Sequence, residues 1–452
     1  MIPLSLQEIA NALDATLLGE DRLIEAVTTD SRQIAPGALF VAIKGERFDA
    51  HHFCAEVVAN GAGALLVSEP QPLACPQLLV NDTRYALGQL GALVRSHLQP
   101  KVVAITGSCG KTTVKEMCAT ILSLRGPVLA TQGNLNNEIG VPLTLLRLTA
   151  EHAFAVMELG ANHPGEIAWT TSLVKPDVAL INNVAAAHLE GFGSLQGVAL
   201  AKSEIFTGLG EQGMAIVNAD SEFFGFWQAD LEPNMHSFGI ENSAADFFAR
   251  DIRCDALARC SFTMVTPVGE VDITLPLPGR HNVANALAAA ALAQALDTGL
   301  MTIKRGLESL QPVKGRLCLQ ELSGLTLIDD TYNASVQSVL AAIDMLATLP
   351  GFRVLVFGDM GELGQEAEAL HRDVGVHAKA AGLDAVFTVG RLAEHAAQAA
   401  GGQHFADKAA LFAALAPLLS RPEHLTLLAK GARSSRMEEV IEFVKNSKEQ
   451  AC

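Results

Sequence analysis

The stretch "TGSCGKTT", residues 106–113, sets two glycines, a lysine and four hydroxyls between an apolar run, "VVAI", and a helix-forming segment, "VKEMCATIL". A strand, a glycine turn and a helix N-terminus make a phosphate cradle, because backbone N–H groups and the positive end of the helix dipole converge. Gly107 and Gly110 permit the turn, Lys111 supplies a mobile charge for outer phosphates, and the Thr112 hydroxyl suits Mg²⁺. The spacing is short: the common loop is G-x-x-x-x-G-K-[ST], whereas here only Ser108 and Cys109 separate the glycines. The competing reading is a glycine turn before a capped helix that merely contains a lysine. The ordered succession from Thr106 through Thr113 favours the phosphate site.

Phosphoryl transfer needs charge neutralisation, and magnesium needs hard oxygen ligands. Glu158 ends the apolar run "FAVMEL", at the C-terminal edge of an expected parallel strand, where ligands of open α/β sheets collect. An ordinary solvent-facing carboxylate fits the same position. His188, in "NNVAAAHLEGFGS", follows another strand end; spacing alone leaves ligand and structural roles equally open. Lys202, in "LAKSEIF", reads by itself as a surface or snorkelling helix lysine. No obvious Ser-His or Cys-His arrangement lies near these motifs.

These residues need a scaffold, and the chain reads as α/β in three regions. At ~150 residues per domain, the 452 residues suggest about three domains. Residues 1–83 alternate short apolar runs ("ALFVAI", "GALLVS", "QLLV") with turns, as in a small α/β unit. Residues 84–312 alternate strands ("VVAIT", "FAVMEL", "VALINNV", "MAIVNA") with helix-length segments, the pattern of a parallel sheet covered on both faces. Within it, "SFTMVTPVGEVDITLPLPG" predicts a hairpin turning near Val268-Gly269. Residues 313–452 repeat the alternation ("LTLIDD", a helix from Val336 to Leu349, "RVLVFGD", "AVFTVG", "LTLLAKG"), a second open sheet, Rossmann-like but without G-x-G-x-x-G.

Composition excludes several classes. A net charge of -17 argues against a nucleic-acid partner. The N-terminus has no basic segment before an apolar one, so no signal peptide is expected. "VANALAAAALAQAL" is too short for a membrane span and reads as a buried helix, so a cytoplasmic protein with no membrane partner is expected. Eight cysteines without a C-x-x-C pair point to neither a zinc site nor a disulfide framework.

Taken together, "TGSCGKTT", "MELGANHPGEI", "NNVAAAHLEGFGS", "AKSEIF" and "LPGRHNVANALAAAA" closely resemble the Mur ligase family, over essentially the whole chain. The resemblance implies an ATP-dependent amide-forming enzyme of peptidoglycan precursor synthesis, and it makes the short loop a family trait. "TTDSRQIAPGALFVAIKGERFDAHHF" resembles the uridine-nucleotide domain of the third and last ligases of that pathway. "LIDDTYNASVQSVLAAIDML" and "GDMGELG" resemble the last, and the D-N-P-R run of the third is missing. The implied substrates are therefore UDP-N-acetylmuramoyl-tripeptide (UDP-MurNAc-tripeptide) and D-alanyl-D-alanine (D-Ala-D-Ala), handled by a monomer.

The family also implies roles. Lys111 and Thr112 would take phosphates and one Mg²⁺, with Glu158, His188 and a carbamylated Lys202 completing two metal sites. Asn282 matches an adenine contact, and Arg316 and Asp330 match contacts to phosphate and ribose. Asn134, Asn136 and Asn137 in "GNLNNEIG", with Asn162, His163 and Glu166, would line the muramyl-peptide end; a plain Asn/Gly turn is the alternative for the first three. Ser31, Arg47 and Phe48 belong to the uridine end. The implied chemistry is attack of a peptide carboxylate on the ATP γ-phosphate, then attack of an amine on the acyl phosphate. The rival readings are a sibling ligase, such as the third ligase or a folylpolyglutamate synthase, and a nucleotide switch without ligase activity.

Overall fold

The structure, a computed structural model, describes residues 1–45, 48–185, 189–231, 234–421 and 423–449. The chain divides into two compact units. One comprises residues 1–106, 122–181 and 201–215; the other comprises 107–121, 182–200 and 216–452.

In the first unit, a five-stranded sheet runs in the order Thr16–Leu18, Gln77–Leu79, Ala64–Val67, Leu39–Val41, Val27–Thr28. Only its first pair is antiparallel. Phe40, Leu65 and Val67 pack there with Cys54 and Val57 from the adjoining helix. The same unit holds four parallel strands ordered Val178–Ile181, Lys101–Thr106, Phe154–Glu158, Val128–Ala130. Phe154–Glu158 and Val178–Ile181 are buried along their whole length, as expected of strands covered on both faces. The C-terminal ends of Lys101–Thr106 and Phe154–Glu158 deliver Thr106 and Glu158.

In the second unit, Met235–Gly239 runs parallel to Phe247–Cys254, which continues antiparallel into Arg259–Thr266 and Gly269–Pro278. The predicted hairpin is present, and it turns at Pro267 and Val268. The alanine-rich segment forms the helix His281–Ala295, buried at nearly every position from Asn282 to Ala293. A six-stranded sheet follows, ordered Cys318–Leu322, Leu325–Asp330, Leu425–Lys430, Phe352–Gly358, Ala385–Val389, Gln403–Phe405, parallel except for the first pair. Alternation along Phe352–Gly358 separates its two faces. Leu355 and Phe357 pack with Val339, Ile343, Val374 and Ala396 from the helices on one side. Val354 and Val356 pack with Leu411, Leu415, Val440 and Val444 on the other.

One expectation is corrected. The cysteine spacing points to no disulfide framework, yet one pair, Cys254 and Cys260, is joined. The antiparallel register sets them directly opposite each other, which a six-residue separation does not reveal. The other five described cysteines are free. Among the described residues, no helix is long and apolar enough to cross a membrane.

Candidate functional site

The loop between strand Lys101–Thr106 and helix Lys111–Ser123 turns through Gly107 at φ +155° and Gly110 at φ +77°. Gly110 is a position where any side chain is costly. A Cβ there would lie 2.6 Å from Asn182 Nδ2 and 2.7 Å from Asn285 Oδ1, in a left-handed conformation that L side chains rarely adopt. Lys111 Nζ donates to Gly107 O at 2.8 Å, folding the ammonium back over the loop. The Thr106 hydroxyl is buried without a hydrogen-bond partner.

Asparagines brace this loop. Asn182 Nδ2 donates to Cys109 O (2.9 Å) and to Asn285 Oδ1 (3.1 Å), and Asn183 Nδ2 donates to the same Cys109 carbonyl at 3.0 Å. Asn183 also accepts, from the Cys109 N–H on its Oδ1 (2.7 Å) and from the Ser108 N–H on its backbone oxygen (3.0 Å). The amides of Ser108 and Cys109, expected to face phosphate, are thus engaged by Asn183. The cradle falls to the helix start at Lys111, where first-turn N–H groups lack intrahelical partners.

The family-implied nucleotide residues lie in the same unit. Asn282 is buried, donating from Nδ2 to Pro278 O (2.7 Å) and accepting from Asn285 Nδ2 (2.9 Å). Arg316 reaches the loop: its Nη2 donates to Thr112 Oγ1 at 2.9 Å, across a sequence separation of 204. Asp330 accepts from Lys430 Nζ at 2.5 Å and from the Leu317 N–H at 3.3 Å. Burial pushes the Asp330 carboxyl above its ordinary value, against the opposing pull of the Lys430 charge. Burial also brings the His281 imidazole down to about 4, with Lys430 adding repulsion. Ser335, which caps the helix Val336–Thr348, places its hydroxyl 3.0 Å from Cys109 Sγ.

The remaining candidates fall in the first unit. Glu158 is buried; its carboxylate accepts from Asn136 Nδ2 at 2.9 Å and its backbone N–H bonds Thr131 Oγ1 at 2.9 Å. Asn137 Oδ1 accepts from the Gly140 N–H at 2.9 Å, turning "GNLNNEIG" into the following helix, and Asn134 O accepts from the Asn136 N–H at 2.8 Å. Glu166 gathers its neighbours, accepting from the Asn162 N–H (2.8 Å) and lying 3.0 Å from His163 Nδ1. Lys202 is buried at the end of helix Leu195–Ser203, not on the surface as its local pattern suggests. Ser31 sits in the turn after Asp30, and Phe48 is exposed, stacked on Phe53 at 5.4 Å. Arg47 and His188 lie outside the described residues.

Three family models cover most of the chain: "Mur ligase family, catalytic domain" over residues 23–97, "Mur ligase middle domain" over 105–293, and "Mur ligase, glutamate ligase domain" over 315–433. The chain is 54% identical to the UDP-N-acetylmuramoyl-tripeptide–D-alanyl-D-alanine ligase of Escherichia coli (strain K12), over 98% of each chain. The chain belongs to the Mur ligase family.

Solved structures agree. A MurF crystal structure from Acinetobacter baumannii superposes with a TM-score of 0.93 at 41% identity, covering 98% of this chain and 99% of that one. MurF ligase from Thermotoga maritima, in complex with ADP, gives 0.85 at 28% identity, covering 94% and 98%. Within this Mur ligase, sequence reasoning passed over Asn182, Asn183, Asn285 and Lys430. The paired asparagines of "NNV" at a strand end were the available signal for the first two. Lys430 carried none, since its partner Asp330 is 100 residues away.

Proposed function

We propose that this chain is an ATP-dependent ligase that joins D-Ala-D-Ala to UDP-MurNAc-tripeptide through an acyl phosphate, as a monomer in the cytoplasm. The observation that carries the reading is 54% identity over 98% of both chains with a ligase of that name, because the match includes the two ends where sibling ligases differ. On this reading residues 1–83 hold the uridine end, 84–312 the ATP, and 313–452 the dipeptide while contacting the nucleotide.

The loop geometry supports the ATP role. Lys111 and the first turn of its helix bind the phosphates, and the asparagine brace keeps the loop from collapsing when charge arrives. Arg316 adds a second cation from the C-terminal segment at the Thr112 hydroxyl. Asn282 and Asp330 border the nucleoside, while Ser31, Arg47 and Phe48 serve the uridine end. Asn134, Asn136, Asn137, Asn162, His163 and Glu166 serve the muramyl peptide.

The donor set fits magnesium: the Thr112 hydroxyl and the buried Glu158 carboxylate are hard oxygens. A carbamate on Lys202 would add a further anionic oxygen of the kind magnesium takes, for two metal sites. Thr112, Glu158, His188 and Lys202 would hold them. Bound magnesium supplies charge neutralisation that lets a carboxylate approach a triphosphate. Carbamylation joins the neutral Lys202 amine to CO₂ with loss of one proton.

The test is phosphate release from ATP with UDP-MurNAc-tripeptide and D-Ala-D-Ala supplied singly and together. Rapid release requiring both supports the ligase. Release without either is the behaviour of a nucleotide switch, and turnover with an amino acid in place of the dipeptide is that of a sibling ligase.

A further inference from the structure

Arg316 can serve ATP only if its guanidinium is held toward the phosphate loop. An arginine on a connecting segment loses rotamer freedom when fixed. What fixes it is visible. Its guanidinium carbon lies 4.3 Å from the centroid of the Tyr332 ring, over the face. From there Nη2 reaches Thr112 Oγ1 at 2.9 Å. The nearby Asp330 carboxylate is already taken by Lys430 and the Leu317 N–H, so the ring is the surface on which the cation rests.

The backbone shows how the ring is brought there. Gly315 turns the preceding segment at φ +78°, and a Cβ on it would come within 3.2 Å of Tyr332 Cβ. The Tyr332 N–H bonds Gly315 O at 3.0 Å, and the Gly315 N–H bonds Asp329 Oδ2 at 3.2 Å. Strand Leu325–Asp330 therefore carries the ring and the arginine segment as one clamp. Nothing in the pattern "DDTYNAS" requires an aromatic ring for strand or turn.

We infer that Tyr332 is a positioning residue for ligation: its ring face, not its hydroxyl, aims Arg316 at the phosphate loop. The inference rests on the ATP-ligase reading. A planar cation on an aromatic face is attracted by the ring quadrupole, more strongly the further both are desolvated. Both residues are half-buried, so the contact is partly desolvated.

The experiment compares Tyr332→Phe, Tyr332→Leu and Arg316→Ala in the full chain, by ligation kinetics and by calorimetric titration with ATP. Tyr332→Phe should stay within about twofold of wild type. Tyr332→Leu should raise the KM and the dissociation constant for ATP about fivefold, leaving the KM for D-Ala-D-Ala unchanged. In the Arg316→Ala background, Tyr332→Leu should cost nothing further, because the two act as one unit. Should Tyr332→Leu unfold, Tyr332→Met keeps bulk without a ring and carries the same expectation. Equal losses in Tyr332→Phe and Tyr332→Leu would overturn the inference, as would wild-type ATP affinity in Tyr332→Leu or a full additional loss in the double variant. A wild-type chain that forms no product removes the ligase reading instead, and is seen before any variant is made.

Discussion

Gly110→Ala tests the asparagine brace directly. The substitution has two separable costs. A non-glycine residue at φ +77° pays about 1–2 kcal/mol for the left-handed conformation. The added Cβ, 2.6 Å from Asn182 Nδ2, must also expel that amide, breaking its bonds to Cys109 O and Asn285 Oδ1. At about 1 kcal/mol each, those two bonds bring the total to about 3–4 kcal/mol. Gly382→Ala is the control: it sits at φ +70° in the same unit with nothing within 4 Å of a built Cβ, so it incurs only the first cost. Urea denaturation, followed by the buried Trp227 in a Trp169→Phe background, reports from the unit that holds both glycines, since the chain has two tryptophans. Gly110→Ala should fall about 2 kcal/mol below Gly382→Ala and should lose ATP binding, while Gly382→Ala keeps it. Equal destabilisation by the two, with ATP affinity intact in both, would refute the brace.

Lys111→Ala should abolish ligation yet leave the denaturation midpoint nearly unchanged, because a loop-end cation leaves no core cavity; wild-type turnover with unchanged ATP affinity would remove Lys111 from the site. Lys202→Ala should be nearly inactive and partly restored by short carboxylic acids, whereas Lys202→Arg should stay inactive, since arginine remains protonated and cannot be carbamylated. Near-normal activity of Lys202→Arg, measured by product formation, would end that role. His281 has a pH signature. Its imidazole stays neutral in the fold down to about 4, while the unfolded chain takes up a proton below 6.5, so its contribution is complete above 6.5 and is lost as pH falls toward 4. Acid titration of stability should show a shallower fall for His281→Gln than for wild type over that window, and identical slopes would contradict it.

Much of the fold was legible because each strand is a short apolar run bounded by turn residues. "LTLIDD", "LTLLAKG" and "AVFTVG" appear at Leu325–Asp330, Leu425–Lys430 and Ala385–Val389, and the helix expected from Val336 ends at Thr348, one residue early. The phosphate loop was legible because glycines, lysine and threonines follow one another along a single stretch. The brace was not, since it joins Asn182 and Asn183 to Cys109, and Asn182 to Asn285, across more than seventy residues, and an asparagine carries no periodic signal. The Cys254–Cys260 link and the Asp330–Lys430 pair escaped for the same reason, being products of strand register rather than spacing. Lys202 shows the limit of local pattern: by itself it reads as a surface or snorkelling helix lysine, and packing buries it.

The central claim is the acyl phosphate, and oxygen transfer tests it most directly. UDP-MurNAc-tripeptide labelled with ¹⁸O in its terminal carboxylate is ligated with unlabelled ATP and D-Ala-D-Ala, and the released phosphate is analysed by mass. Attack of the carboxylate on the γ-phosphate, followed by cleavage of the carbonyl carbon–oxygen bond as the amine adds, leaves one labelled oxygen in each phosphate and one in the new amide. That is the predicted result. Phosphate carrying no label, with product formed, would mean that the carboxylate is not phosphorylated and would contradict the account.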